Sequence, residues 1–460
     1  MIPAALTLSV LLLGAAPELD GGLQLLPAPQ PFQPEVSDPL LSPAARAPRE
    51  LGSWSEAKAL AKQNSIDERN AMAAVERAQG RWRQSLGALL PNGRVSLGVT
   101  YDVLNPTVVT SLLNVSSAVL AKAPPTSPMG SMTITLSQAV VDLGAWKGLS
   151  AADASRDAAR LIEEDTRRRV TQGLARSLVA VVAAERVAEL NRIGLRQALE
   201  RAALITRTQQ LGAATQVDVV RTQQDVDVAR GQLIAGDEQL RRTREALGVA
   251  LGIDSEVGVP ADFSLEGLAN EARLACKGIS WEQRSDLQAQ RANVQSAAES
   301  RKQAIMGYVP SLGLTSNLLG FTTNPGVARF ATWNVAAMIS LPIWEGGTRE
   351  GLVTERKGLE NQAEAAMELS RRQVRLEVEQ VRRLVGVAES LMKTARDARA
   401  GAAQLDQLTR RAFEVGRGSS LELVQSAVAL RQADVVLAAR EFELVQARLD
   451  VLMTEARCDW

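Results

Sequence analysis

The residue types that usually carry chemistry are sparse in this chain. It has no histidine, which removes the commonest general acid or base and the commonest metal ligand. Cys276 and Cys458 are the only two cysteines, too few for a structural zinc site or a disulfide-rich scaffold. The sequence holds no Walker-type nucleotide loop, no cysteine–histidine pairing and no metal-ligand cluster. No catalytic, cofactor-binding or metal residue is therefore assigned, and no cofactor is implied. What remains is a matched pair of carboxylates. Asp218 lies six residues after Gly212, and Glu422 six residues after Gly416. Each falls about one turn into a helical pattern, where negative charge complements the helix dipole.

That pair belongs to an internal duplication. Val219, Val226, Leu233, Leu240 and Leu247 recur every seven residues, and Leu423, Leu430, Leu437, Leu444 and Val451 repeat them 204 residues on. The companion seam position is mostly small: Thr222, Ala229, Gly236, Thr243 and Ala250, then Ser426, Ala433, Arg440, Ala447 and Thr454. One large and one small residue per heptad let helices approach closely. Leu136-Ser137, Asp142 and Gly144 recur as Ile339-Ser340, Glu345 and Gly347 at an offset of 203, and Val75, Ala78 and Pro91 as Val294, Ala297 and Pro310 at 219.

Each copy reads as helix, strand, loop, strand, long helix, tight turn and return helix. A first structural repeat is expected over 51–255, with strands at about 94–103 and 131–141, a long helix at about 148–210 and a return helix at about 215–251. The second is expected over 284–457, with strands at about 311–320 and 332–343, a long helix at about 348–415 and a return helix at about 419–455. Residues 256–283 are expected to link them. At 1.5 Å per residue the long helices would span roughly 94 and 102 Å, which describes a hollow or rod-like body rather than a globule. Composition agrees: 46% of residues are hydrophobic but only 3% aromatic, so the apolar content is mostly Ala, Val and Leu.

The strands alternate apolar and polar residues and approach the length that crosses a bilayer when tilted. Tyr101, Phe321, Phe330, Trp333 and Trp344 are expected at or near strand ends, where interfacial aromatics belong. Four strands cannot close a barrel, and open edges are not viable in lipid. If they enter a membrane, several copies must share one barrel. Residues 1–16 hold a short apolar run ending in Gly14-Ala15-Ala16, which suits a signal peptide. Residues 17–50 carry eight prolines and are expected to be an extended arm with no helix or central strand. Formal net charge is +0, which supplies no basic excess for nucleic acid.

From Leu51 to Arg457 these residues resemble the TolC-like outer-membrane efflux proteins. The resemblance rests on the Gly212–Leu251 segment and its echo from Gly416 to Met453, on Leu89-Leu90-Pro91, on Arg284-Ser285-Asp286-Leu287, and on Leu341-Pro342-Ile343-Trp344-Glu345-Gly346-Gly347. It implies a mainly α fold with a transmembrane β part. Three identical chains would form a twelve-stranded barrel in the outer membrane of a Gram-negative bacterium, standing on a periplasmic α-barrel. It also implies a passive exit duct in a tripartite efflux or type I secretion system, with a periplasmic adaptor and an inner-membrane pump as partners.

On that resemblance, Gly212, Thr215, Gly416, Arg417 and Ser419 form the two adaptor-docking tip turns. Glu422, Gln425 and Asp218 would stand at the pore constriction. The alternative for Asp218 and Glu422, favourable charge at a helix N-terminus, stays open. Gln425 stands where the family can place a second carboxylate, so a double acidic ring is not expected. An oxidising compartment would permit a disulfide between Cys276 and Cys458, near the middle of the body, although the sequence does not fix their separation. The rival account is a soluble coiled-coil scaffold or tether, which explains the heptads but not the strands.

Overall fold

The computed structural model describes residues 34–101, 103, 126–260, 263–323 and 330–458. The expected signal peptide and residues 17–33 of the arm lie outside the described residues. In chain order the first part holds β1 (Arg49–Glu50), α1 (Trp54–Asn64), α2 (Ile66–Gly87), β2 (Asn92–Thr100), β3 (Met129–Val141), α3 (Leu143–Gln210) and α4 (Gln216–Leu251). A connecting part holds β4 (Val257–Gly258), α5 (Leu265–Ala275) and β5 (Cys276–Gly278). The second part holds α6 (Ser285–Met306), β6 (Ser311–Phe321), β7 (Phe330–Ser340), α7 (Thr348–Glu414), α8 (Ser420–Thr454) and β8 (Ala456–Cys458). The long helices α3 and α7 have 68 and 67 residues and the return helices α4 and α8 have 36 and 35, so the duplication is preserved in three dimensions.

Local chemistry sets the boundaries. Ser53 caps α1, and Ser65 then ends α1 and caps α2, its hydroxyl accepting from Glu68 N at 3.2 Å. Asp142 caps α3 by accepting from Ala145 N at 2.8 Å, so this helix begins at Leu143 rather than near residue 148. β2 runs from Asn92 to Thr100, beginning before residue 94 and stopping short of residue 103. β7 stops at Ser340 rather than residue 343, because Pro342 has no N–H for a ladder. Trp333 lies inside β7 rather than at its end, opposite Leu318. The stretch 256–283 is more than a linker, since it contains β4, α5 and β5.

The arm, described from residue 34, is extended apart from one 3₁₀ turn at Pro39–Leu41, a departure from the expectation of no helix, capped by Asp38. It lies along α4. Arg244 Nη1 donates to Ala45 O at 2.7 Å, and Arg230 Nε donates to Asp38 at 3.0 Å. β1 then pairs parallel to β4.

The main core is at mid-height, where α1, α3, α4, α5 and α8 meet. Trp54, Leu178, Val181, Leu247, Leu251, Leu268 and Met453 are buried together there. Below it the heptad residues Val226, Leu233 and Leu240 of α4 are buried against α3, as the seven-residue spacing requires. The second copy is unequal. Among the described residues α7 buries Val374, Val378, Ala388, Ala395 and Asp406, and it exposes Leu352, Leu359, Leu369, Leu376, Leu384, Leu391, Leu405 and Leu408. Within one protomer, most of a long apolar stripe has no cover.

The four long strands form one antiparallel sheet in the order β2-β3-β6-β7. Residues directly opposite one another share a face. Val95, Ile134, Leu318 and Trp333 make one apolar row across the sheet, and Gly93, Leu136, Ser316 and Val335 lie in the next row on that face. Arg94, Thr135, Asn317 and Asn334 form a polar row on the opposite face. The apolar face is bare: Leu97 is 77% exposed and Trp333 75%. Among the described residues both edges, β2 and β7, lack a partner strand. Among the described residues no helix is long and apolar enough to cross a membrane.

A second, small ladder joins β5 to β8. It places Cys276 directly opposite Cys458, within the separation that a disulfide spans. Cys276 is disulfide-bonded, and Cys458 is the only other cysteine. A thiol reagent applied to the unfolded, unreduced protein is expected to label neither cysteine, and to label both after reduction. Labelling before reduction would remove this staple.

Candidate functional site

The end of the helical body is built by two turns of the same design. At the first, Gly212 adopts φ +77° and ends α3, with Ala213 N donating to Thr208 O at 2.9 Å. At the second, Gly416 adopts φ +73°, with Arg417 N donating to Ala412 O at 2.9 Å. Both glycines take the left-handed conformation that closes a helix and that other residues adopt at a steric penalty. Each turn feeds a capping box. Thr215 Oγ1 accepts from Asp218 N at 3.3 Å while Asp218 accepts from Thr215 N at 2.9 Å. Ser419 Oγ accepts from Glu422 N at 3.2 Å while Glu422 accepts from Ser419 N at 3.0 Å. Such caps contribute about 0.5–2 kcal/mol each.

Beyond the shared design the two carboxylates differ. Asp218 also accepts from the Ser420 hydroxyl at the start of α8, and Arg221 Nη1 donates to Ser420 Oγ at 3.1 Å. The two turns are thereby tied within the protomer. The Ser420 hydroxyl, the Thr215 amide and hydroxyl, and the Arg221 guanidinium together hold the Asp218 carboxyl below the usual carboxylate range. Asp218 is thus a cap and a tether. Glu422 takes no part in this joint, and it is exposed together with Gln425 one turn further along α8. Arg417 is exposed as well. The positions predicted from sequence are therefore gathered at one end of the molecule, with Glu422 and Gln425 open to water and Asp218 engaged behind them.

About two turns deeper lies a group that sequence reasoning did not single out. Asp225 is 5% exposed and accepts from Arg201 Nη2 at 2.7 Å and from Arg431 Nη2 at 3.0 Å. This single carboxylate joins α3, α4 and α8. Arg431 reaches it by passing Gly194 of α3, where an added Cβ would collide with Arg431 Cδ. Nearby, Ser426 donates to buried Asp406 at 3.3 Å, which joins α8 to α7. The available signals were charges flanking the apolar seam, Asp225 beside Val226 and Arg431 beside Leu430, and a glycine in the middle of a helix. None of these reveals its partner. Among the described residues no group of three or more His, Cys, Asp or Glu could hold a metal ion.

Comparison with known proteins places this geometry. A family model described as outer membrane efflux protein matches residues 58–253 and 280–453. The solved structure of the outer membrane protein VceC from Vibrio cholerae superposes with a TM-score of 0.71 at 16% identity, covering 87% of this chain and 95% of that one. The CmeC outer membrane channel of Campylobacter jejuni gives 0.70 at 15%, covering 92% and 94%. The open state of the MtrE outer membrane channel of Neisseria gonorrhoeae gives 0.71 at 15%, covering 92% and 97%. No curated protein sequence matches the chain.

The Asp225 group sets a prediction. Two buried guanidiniums share one carboxylate, and Arg201 Nε, Arg431 Nε and Arg431 Nη1 have no hydrogen-bond partner among the described residues. Asp225→Asn leaves both charges without a counter-ion and is expected to lower stability by about 3–5 kcal/mol. Asp227→Asn removes a carboxylate that is 61% exposed and paired with Arg230, and is expected to change stability by under about 1 kcal/mol. Denaturant midpoints of the helical circular dichroism signal measure both, and equal shifts would contradict the role given to Asp225.

Proposed function

Since the chain belongs to the outer membrane efflux protein family, we propose that three copies assemble into a passive exit duct. As a member of that family it is an efflux protein of the outer membrane. The observation that carries the shared assembly is the four-stranded sheet, with one apolar face, one polar face and two unpaired edges. In hydrocarbon each unpaired backbone group costs several kcal/mol, so such a sheet is viable there only when its edges are closed. Joining β7 of one copy to β2 of the next closes them. With three copies the result is a twelve-stranded barrel, with Val95, Ile134, Leu318 and Trp333 toward lipid.

The bare leucine stripe of α7 supports the same assembly. A soluble monomer rarely exposes so long an apolar strip, and in the trimer neighbouring helices cover it. A soluble coiled-coil tether would use that stripe but leaves the exposed apolar sheet unexplained. The helical body then stands in the periplasm with the two tip turns farthest from the membrane. Gly212, Thr215, Gly416, Arg417 and Ser419 form the surface on which a periplasmic adaptor docks, linking the duct to an inner-membrane pump. Glu422 and Gln425 line the constriction, one carboxylate ring and one neutral ring, while Asp218 holds the turns behind them. The chain conducts cargo and has no reaction to catalyse.

Membrane fractionation, mild-detergent extraction and mass determination of the unheated complex test the assembly. A trimer in the outer-membrane fraction is expected, and a soluble monomer or dimer would remove the shared barrel. In planar bilayers Glu422→Gln is expected to shift the reversal potential toward weaker cation preference. Unchanged selectivity would displace Glu422 from the constriction.

A further inference from the structure

Arg94 is the only charged residue in β2, β3, β6 and β7. It is exposed, and it makes no ion pair among the described residues. The ladder sets it in line with Thr135, Asn317 and Asn334, so one level of the polar face presents a guanidinium, a hydroxyl and two carboxamides side by side. Arg94 is the third residue of β2, counted from the end where the strand leaves the helical body, about 7 Å up the sheet. The rows above and below it carry only apolar and small residues on their own face and the face opposite, apart from Ser, Thr, Asn and Gln.

We propose that this row is an anion-binding belt at the base of the barrel lumen, recognising multiply charged oxyanions such as polyphosphates. The inference rests on the shared barrel described above. Twelve strands about 4.8 Å apart and tilted by about 40° close on a cylinder about 24 Å across at the backbone. Three symmetry-related Arg94 residues begin about 21 Å apart around that wall. Each side chain reaches about 6 Å inward, which brings the guanidiniums to about 10 Å from one another. That separation is close to the Debye length at about 0.1 M salt, so the three charges act on a polyanion together. The low-dielectric wall strengthens the field within the lumen.

The chemistry of the row suits an oxyanion. A guanidinium presents a planar fork of donors that matches phosphate, and the amide and hydroxyl groups beside it offer further N–H and O–H donors. A ring of arginines is a known means of favouring anions in a pore. The exposed Glu422 at the other end of the molecule has the opposite sign. The duct is therefore bipolar, acidic at the tip and basic where the barrel begins, and cargo with anionic groups is held briefly at the second station before release.

The test is sided block of single channels in planar bilayers in about 0.1 M KCl, with sodium tripolyphosphate as the probe. Protein added to one side inserts barrel first, so probe in the opposite chamber reaches the belt without passing the tip. Block of the wild-type trimer from the barrel side is expected, with the half-blocking concentration raised about tenfold or more in Arg94→Gln and close to wild type in Arg94→Lys. Raising salt to about 1 M, where the Debye length falls to about 3 Å, is expected to abolish the block. Wild-type channels that are not blocked, or that are blocked equally after Arg94→Gln, overturn the belt and leave the duct standing. Failure to obtain any conducting trimer overturns the belt and the shared barrel together.

Discussion

A β-strand placed in hydrocarbon must have every backbone N–H and C=O paired, and the architecture of this protein follows from that requirement. Among the described residues one chain supplies four long strands to this sheet, too few to curl back upon themselves, so the sheet has two open edges. The sheet satisfies the requirement only in company. Its alternation of apolar and polar rows then fixes which side meets lipid and which meets water. The helical body is tied to the sheet at two places, because α3 begins two residues after β3 and α7 follows β7 after the short stretch 341–347.

The duplicated helical hairpins are a second consequence. A continuous wall around a lumen needs long helices packed side by side with little room between them. Small residues at alternate seam positions permit that approach, as at Gly236, whose missing Cβ leaves space for the Asn191 amide. The two copies have diverged in what their outer faces do. The first hairpin buries Leu195 and Leu233 between its helices, while α7 leaves a leucine stripe exposed. Duplication thus supplied one fold twice, with the apolar residues of the two copies buried to different extents.

Charge within the body is used for joining. The Asp225 group ties three helices at a depth where water cannot compensate its members, so its geometry is far less tolerant than that of the surface ion pairs along α7. The Asp218–Ser420 contact ties the two turns at the tip. Between these two levels the start of α8 is anchored to α4 and, through Asp406, to α7. The exposed Glu422 and Gln425 therefore ride on a helix whose position is set from behind.

What periodicity can say, the sequence said. A spacing of seven with large and small residues identified the return helices, alternation identified the strands, and glycine followed by Thr or Ser identified the turns, because each is a local property of the backbone. Alternation likewise separated the two faces of each strand, and four strands are too few to close a barrel by themselves. End points were less legible, since Asp142 and Pro342 set them through single hydrogen bonds made or withheld. Partnership was decided only in the tertiary structure. Register alone placed Arg94 in one row with Asn317 and Cys276 opposite Cys458, and packing alone brought Arg431 past Gly194 to Asp225. These residues lie up to some 240 positions apart. A local pattern fixes which face a side chain occupies, whereas the face it meets is chosen by the collective burial of the whole chain.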